Sequence, residues 1–301
     1  MSRIRTAFVP GAGLGKRLRP LTSERPKPLV PVFNRPLITC VFDALIEVGI
    51  ERFVVNTHHC AEAYAVLLGN EYRGRPIDYT HEPVLLETGG GLRNARHLFN
   101  DEPVLVHNGD VLATLDLEAL LRRHREAGAE VTLLLRSKDG PLQVRFDPAR
   151  GRVTDFRNAL GGEGIDTLLT GAYVIEPGFL DRIPEGEIVS VVPVFLEMLR
   201  AGVPIAGELS DAGAWADLGN RDSYLAAHRG RVEIDASARV GRDVSFVGFA
   251  SVGANAEIGD NCVIQDCVIW ENAKIASGTH LAACIVRDGR SVSGNHADTD
   301  F

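Results

Sequence analysis

Apolar residues in the first 230 positions follow two spacings. Short apolar or β-branched runs predict strands at 6–10, 52–56, 77–80, 104–106 and 131–135. Apolar residues at helical spacing predict helices over 37–48, 61–68 and 117–127. Strands that alternate with helices favour a mostly parallel mixed sheet of the α/β class, with helices on both faces. Ligands of such sheets bind beyond the carboxyl ends of the strands.

The pattern changes after residue 141. Strands with turns are predicted from Leu142 to Ile175, a helix from Val192 to Arg200, and a last helix that Asn220 caps and that ends at His228. We expect residues 1–228 to form one catalytic domain with a Rossmann-like sheet. Residues 229–301 differ in period and are expected to form a second domain with a short C-terminal tail.

A six-residue period begins after Gly230. It runs through Ile234, Val240, Phe246, Val252, Ile258 and Ile264, and after a one-residue slip through Ile269, Ile275 and Leu281. This period resembles the hexapeptide repeat of the left-handed parallel β-helix, in which 18 residues complete one coil. We expect residues such as Ile234 and Val240 to point into the interior of the coils. Phe246, Phe249 and Trp270 are large for such an interior and predict contacts with another surface.

A glycine loop follows the first predicted strand. Gly11, Gly13 and Gly15 alternate with small residues, so backbone N–H groups could approach an anion without a Cβ in the way. Basic side chains follow at Lys16, Arg17, Arg19, Arg25 and Lys27. The combination suggests a cradle for a polyphosphate. It is not a P-loop, because Arg17 stands where that motif requires serine or threonine.

The spacing G-x-G-x-R-L-x-P-(x)5-P-K, from Gly13 to Lys27, resembles the sugar-1-phosphate nucleotidyltransferases, or nucleotide-sugar pyrophosphorylases. The loop Glu87-Thr88-Gly89-Gly90-Gly91 most resembles the N-acetylmuramate-1-phosphate uridylyltransferases. A glycine-rich helix start would explain this loop equally well. The resemblance implies transfer of a nucleotidyl group from a nucleoside triphosphate to a sugar 1-phosphate, with release of pyrophosphate. It leaves the base and the sugar open.

The resemblance also implies roles for individual residues. Arg17, Lys27 and Asp110 are the expected catalytic residues, and Asp110 and Asp217 are expected to hold Mg²⁺. The expected nucleotide-binding residues are Gly11, Ala12, Gly13, Gly15, Lys16, Glu82, Thr88 and Gly89. The expected sugar-binding residues are Asn108, Arg157, Thr170 and Gly171. Many members carry a Glu-Lys-Pro segment whose lysine holds the sugar phosphate; here 153–158 contains no lysine, and Arg157 could substitute.

Composition narrows the function classes. The formal net charge of −8 argues against non-specific nucleic-acid binding. The five cysteines are odd in number and lack C-x-x-C spacing, and no apolar run is long enough to span a membrane, so we expect a cytoplasmic protein. A homo-oligomer, perhaps assembled through the repeats, is expected because stacked coils end in unpaired edges. Two alternatives remain open: a hexapeptide-repeat acyltransferase with His280 as base, and a non-catalytic regulatory homologue that binds nucleotide sugars.

Overall fold

The computed structural model describes residues 4–301. The α-helices are α1 (Leu37–Glu47), α2 (Glu62–Leu68), α3 (Glu87–Asn94), α4 (Leu117–Ala127), α5 (Val191–Arg200) and α6 (Arg221–Ala227). Short 3-10 helices cover Lys16–Leu18, Lys27–Leu29, Arg96–Leu98 and Pro177–Arg182. The strands are β1 (Thr6–Pro10), β2 (Pro31–Val32), β3 (Arg35–Pro36), β4 (Arg52–Thr57), β5 (Glu71–Tyr72), β6 (Arg75–His81), β7 (Val104–His107), β8 (Val111–Ala113), β9 (Val131–Arg136), β10 (Val144–Asp147), β11 (Arg152–Phe156), β12 (Ile165–Ile175), β13 (Ile205–Leu209), β14 (Trp215–Asp217), β15 (Val232–Ile234), β16 (Arg239–Val240), β17 (Ser245–Val252), β18 (Glu257–Ile258), β19 (Val263–Ile269), β20 (Lys274–Ile275), β21 (His280–Ala282), β22 (Ile285–Val286), β23 (Ser291–Val292) and β24 (Asn295–Ala297).

Contacts within the chain define two compact units. The first contains the chain up to Leu14 together with Ile38–Asp217, and the second contains Gly15–Leu37 together with Leu218–Phe301. The segment that follows the glycine loop therefore belongs to the same unit as the C-terminal repeats. The expected functional division at residue 229 stays a prediction.

The first unit is built on a mixed sheet. Within the described residues its strand order is β10-β11-β13-β9-β12-β7-β1-β4-β6-β5. Strand β1 pairs in parallel with β4 and β7, so the carboxyl ends of these three strands lie at one edge. Strand β12 is antiparallel to both β7 and β9. The predicted α/β class with parallel strands and helices is confirmed, and antiparallel pairing is concentrated in the region of strands and turns after residue 141.

Continuous apolar runs explain the central strands. β7 and β9 are buried along their whole lengths, as expected for strands covered on both faces. One apolar core packs Leu92 of α3 and Phe195 of α5 with Phe8 and Leu133 of the sheet. None of the described helices is both long and apolar enough to cross a membrane.

The repeats of the second unit form stacked parallel coils. One ladder runs β15-β17-β19-β21-β24 and another β16-β18-β20-β23. Val232 lies opposite Ala250, 18 residues on, whereas Glu257 lies opposite Lys274, 17 residues on. The change occurs at a register shift between Val247 and Ala250. The observed coil length and its one-residue slip therefore follow the sequence period.

The interior of the coils begins one coil later than predicted. Val252, Ile258, Ile264, Ile269, Ile275 and Leu281 are buried in one apolar cluster. Ile234 and Val240, by contrast, are 40% and 39% exposed, so their expected interior placement is wrong. The reason is their position in the first coil, whose strands β15 and β16 each have a ladder partner on one side among the described residues.

Candidate active site

The glycine loop begins where β1 ends. The Gly11 N–H donates to Asn56 Oδ1 at 2.8 Å, and the Gly11 carbonyl accepts from the Tyr64 hydroxyl at 2.8 Å. A Cβ at Gly11 would lie 2.7 Å from the Tyr64 hydroxyl oxygen. Gly11 is therefore required by close packing against β4 and α2. Ala12 is buried beside it.

Glu82 connects this loop to the start of α3. Its side chain is fully buried, and Asn56 Nδ2 donates to Oε1 at 2.6 Å while the Leu86 N–H donates to Oε2 at 2.9 Å. A buried carboxylate needs such partners. Through Asn56, Glu82 thus holds both Gly11 and the segment before Thr88 in place.

The triple glycine has a packing explanation. A Cβ at Gly89 would lie 2.8 Å from the Val189 carbonyl oxygen, one at Gly90 2.4 Å from the Glu187 carbonyl oxygen, and one at Gly91 2.5 Å from Glu82 Oε1. The Thr88 hydroxyl accepts from the Val191 N–H at the start of α5, at 3.0 Å. α3 therefore approaches its neighbours too closely for any side chain at these glycines.

The turn that carries Asp110 lies beside the glycine loop. Gly109 N–H donates to the Pro10 carbonyl at 3.3 Å, and a Cβ there would lie 2.9 Å from that oxygen. Burial, followed by the charge of Asp110, raises the pKa of Tyr64, whose hydroxyl bonds Gly11. Burial also lowers the pKa of His107. The ends of β1 and β7 thus bring Asp110 and the first glycine into one neighbourhood.

Asp217 is brought next to this turn by a short strand pair. β14 is antiparallel to β8, and Asp217 lies opposite Val111, the residue after Asp110. Both aspartates are partly buried. The two carboxylates predicted to share a metal therefore occupy neighbouring backbone positions, although more than one hundred residues separate them in sequence.

Arg136 holds the loop that precedes β14. Its side chain is fully buried and donates to the Ala212 carbonyl at 2.8 Å, to the Gly213 carbonyl at 3.2 Å and to Asp139 Oδ2 at 2.6 Å. Trp215 Nε1 donates to the Thr170 carbonyl at 2.9 Å. These bonds position the strand of Asp217 from both sides.

The expected sugar-binding residues fall into two places. Asn108 N–H donates to the Gly171 carbonyl at 2.9 Å, and Gly171, with φ +92°, has no room for a Cβ beside the Asn108 amide. The buried Thr170 hydroxyl donates to the Leu134 carbonyl at 2.8 Å. Arg157 instead lies on an exposed turn and donates to Gln143 Oε1 at 3.3 Å. The structure groups Asn108, Thr170 and Gly171 and places Arg157 in the neighbouring hairpin.

The cationic part of the motif lies in the second unit. Gly15 is left-handed, with φ +57°, and its carbonyl accepts from the Thr22 hydroxyl at 2.8 Å. The Lys27 Cβ packs close to Gly15, and Lys27 is only 6% exposed. Lys16 and Arg17 are exposed. The Arg17 guanidinium lies against Gly219, where a Cβ would approach it to 2.8 Å.

Arg25 does not join these cations as the sequence pattern suggested. Its guanidinium donates to Glu271 Oε1 at 2.5 Å and stacks on Trp270, with 4.9 Å from the guanidinium carbon to the ring centroid. Asn56, Tyr64 and Arg136 were missed by the sequence reasoning. A polar residue at the end of a predicted strand was the available signal for Asn56, whereas a buried Arg136 has no local signature.

The donor set fits Mg²⁺. Within residues 4–301 no group of three or more His, Cys, Asp or Glu side chains is arranged to hold a metal ion. Mg²⁺ is commonly bound by one or two carboxylates, with phosphate oxygens and water completing its shell. Asp110 and Asp217 supply that number of carboxylates at the edge where the glycine loop begins.

The chain is similar to proteins of one family. The nucleotidyl transferase family model matches residues 7–233. Mannose-1-phosphate guanylyltransferase of Mycobacterium tuberculosis is 31% identical over 292 residues, covering 90% of this chain and 81% of that protein. D-glycero-alpha-D-manno-heptose 1-phosphate guanylyltransferase of Aneurinibacillus thermoaerophilus is 31% identical over 224 residues, covering 74% of this chain and 96% of that protein.

A solved structure supports the fold. UDP-glucose pyrophosphorylase from Acinetobacter baumannii superposes with a TM-score of 0.64 at 19% identity, covering 75% of this chain and 92% of that one. The family match covers the glycine loop, Asp110 and Asp217, and the prediction from the motif spacing is confirmed. The chain belongs to the nucleotidyl transferase family, among the sugar-1-phosphate nucleotidyltransferases.

Proposed function

We propose that this enzyme transfers a guanylyl group from GTP to mannose 1-phosphate, giving GDP-mannose and pyrophosphate. The geometric observation that carries nucleotidyl transfer is the pairing of β14 with β8, which places Asp217 beside the Asp110 turn. The choice of GTP and mannose 1-phosphate is supported by the relatives of that name, which match 90% and 95% of the chain. UTP with glucose 1-phosphate is the second candidate, supported by a uridylyltransferase of Synechocystis that matches 98%.

In the proposed reaction a phosphate oxygen of the sugar phosphate attacks the α-phosphorus of the triphosphate. The bond from that phosphorus to the oxygen that bridges to the β-phosphorus breaks, and pyrophosphate leaves with the electron pair. No covalent enzyme intermediate is needed, so catalysis consists of positioning and electrostatic stabilisation. Mg²⁺, held by Asp110 and Asp217, would supply charge neutralisation on the phosphates.

Arg17 and Lys27 are proposed to bind the phosphates. The planar guanidinium of Arg17 can bond two phosphate oxygens, and it lies beside a residue that cannot obstruct it, Gly219. Lys27 is confined by Pro26 and Pro28 and by burial, so its charge has little conformational freedom to lose on binding. Lys16 is proposed as a further, exposed contact.

Gly13 gives the glycine loop a reason beyond packing. Among the described residues, a Cβ at Gly13 would meet no atom within 4 Å, unlike one at Gly11 or Gly15. Folding therefore does not demand glycine there, whereas close approach of a phosphate to the backbone would. We assign Gly13 to direct nucleotide contact, with Gly11, Ala12 and Gly15 shaping the loop.

The remaining predicted contacts receive narrower roles. Glu82, Thr88 and Gly89 bond within the protein, so we propose that they position the nucleotide-binding loops. Asn108, Thr170 and Gly171 are proposed to border the sugar. Arg157 is kept as a proposed contact for the sugar phosphate, since Glu-Lys-Pro is absent.

One panel tests the reaction. Purified protein is mixed with Mg²⁺, each of five nucleoside triphosphates and a set of sugar 1-phosphates, and pyrophosphate release is measured. We expect the highest kcat/KM for GTP with mannose 1-phosphate. Higher kcat/KM for another pair would replace the substrate assignment, and no release with any pair would refute the reaction. The acyltransferase alternative has no support, since His280 lies exposed on β21 and the family match covers the transferase motif.

The repeats are proposed to form a left-handed β-helix that assembles subunits. The support is the uncovered first coil, where Val232, Ile234 and Val240 are exposed and the edges of β15 and β16 are available for pairing. We expect a dimer by light scattering, and Val232→Lys with Ile234→Lys should weaken it. A full-length monomer would remove this proposal. The five free thiols are consistent with the proposed cytoplasmic location.

A further inference from the structure

The segment that carries Lys27 is attached to one place on the C-terminal coils. Arg25 lies two residues before Lys27 and Pro31 four residues after it, and both are linked to Trp270 or its neighbour Glu271. We infer that Trp270 and Glu271 are positioning residues for nucleotidyl transfer, acting through Arg25 and Tyr224 on the segment that holds Lys27. This inference rests on the proposed role of Lys27 in phosphate binding.

The Arg25 side of this attachment is strong. Only 11% of the Arg25 side chain is exposed. Its guanidinium bonds Glu271 at 2.5 Å, lies 3.4 Å from Asp288 Oδ2 and stacks on the buried indole of Trp270. A planar guanidinium held by carboxylates and an aromatic face has one preferred orientation. The chain two residues before Lys27 is therefore fixed to the coils, and the charge of Arg25 is neutralised there.

The other side passes through Tyr224. Its fully buried hydroxyl donates to the Pro31 carbonyl at 2.6 Å and accepts from Trp270 Nε1 at 3.0 Å. A buried hydroxyl that serves as donor and acceptor at once couples the positions of both partners. The same indole thus fixes the chain on both sides of the Lys27–Leu29 turn. This also accounts for Trp270 as a residue too large for a coil interior.

Weaker contacts extend the same surface. Glu24 pairs with Arg290 at 2.8 Å, but 63% of its side chain is exposed, so this pair contributes little. Asn34 accepts from the Ser251 hydroxyl at 2.7 Å. The buried contacts of Arg25 and Tyr224 therefore dominate.

Hydrogen exchange tests the positioning without needing turnover. The Leu29 and Val30 N–H groups close the turn on the Pro26 and Lys27 carbonyls, at 2.9 and 3.1 Å. In full-length Arg25→Met, Glu271→Gln and Trp270→Phe, exchange in a peptide covering this turn should rise about tenfold. The control is Arg242→Met, which removes an exposed coil ion pair with Asp260 and should leave exchange unchanged.

Kinetics tests the consequence. With Mg²⁺, GTP and mannose 1-phosphate, Arg25→Met and Glu271→Gln should lower kcat by about tenfold or more, because small displacements of a phosphate-binding group slow phosphoryl chemistry strongly. The charge swap Arg25→Glu with Glu271→Arg should recover part of kcat, whereas a loss of folded protein alone would lower apparent kcat only in proportion to the unfolded fraction.

The outcomes are separable. Unchanged exchange in the folded Glu271→Gln and Trp270→Phe variants overturns the inference, even if Arg25→Met does not fold. Raised exchange with unchanged kcat also overturns it. If the wild-type protein releases no pyrophosphate in the substrate panel, the proposed function fails, and the exchange measurement alone decides whether the coils hold the Lys27 segment.

Discussion

Acidification should destabilise the second unit through His228. The imidazole is 2% exposed, its Nδ1 bonds the Tyr224 carbonyl at 2.9 Å, and its Nε2 is buried without a hydrogen-bond partner. The rings of Phe33, Tyr224 and Phe249 surround it. Burial lowers the pKa of His228 from 6.5 to about 4, because a proton on Nε2 would be left unsolvated.

The direction of the pH effect follows from this pKa. Between pH 6.5 and about 4 the unfolded chain binds more protons than the folded chain, so the free energy of unfolding falls as pH falls through this window. The stabilisation is complete above pH 6.5. From the two pKa values we expect His228 to account for a loss of about 2.5 kcal/mol between about pH 7.5 and 4.5.

The assay isolates this contribution by comparing variants. A Trp215→Phe background leaves Trp270 as the single tryptophan, so urea unfolding followed by fluorescence reports on the second unit. His228→Phe should remove about 2.5 kcal/mol of the pH dependence. Phe33→Leu, which removes ring packing without a titrating group, should lower stability equally at both pH values. An unchanged pH dependence in His228→Phe would refute the buried-imidazole reasoning.

Three further predictions concern the active site. Asp110→Asn should keep the fold and reduce turnover by about a hundredfold, because it removes charge that stabilises the transition state; wild-type kcat at unchanged Mg²⁺ dependence would contradict the metal assignment. Lys27→Met should lower kcat more than the melting temperature; a large fall in melting temperature with full activity per folded molecule would make Lys27 structural. Gly13→Ala should raise the KM for GTP with little change in melting temperature, whereas Gly109→Ala should cost about 1–3 kcal/mol of stability, since its Cβ would lie 2.9 Å from Pro10 O. Equal melting temperatures for the two glycine variants would argue against this distinction.

The sequence by itself determined the elements that rest on local pattern. The strand Thr6–Pro10 and the helix Leu117–Ala127 have the predicted bounds, because apolar periodicity and capping residues act over a few neighbouring positions. The repeat period also emerged with its slip, since each coil stacks on a copy of its own pattern. The motif spacing from Gly13 to Lys27 was sufficient to identify the family.

Tertiary structure alone decided how distant residues meet. Asp217 reaches the Asp110 turn only through the pairing of β14 with β8, which no local pattern encodes. Arg25 looked like a phosphate-binding cation because its neighbours in sequence are cations, but Glu271 and Trp270, some 245 residues away, provide its charge partner and stacking surface. Likewise, Ile234 has the periodicity of an interior residue and yet is exposed, because burial depends on whether a further coil covers it. Burial and ion pairing are properties of contacts between remote segments, so the physical reason is the same in all three cases.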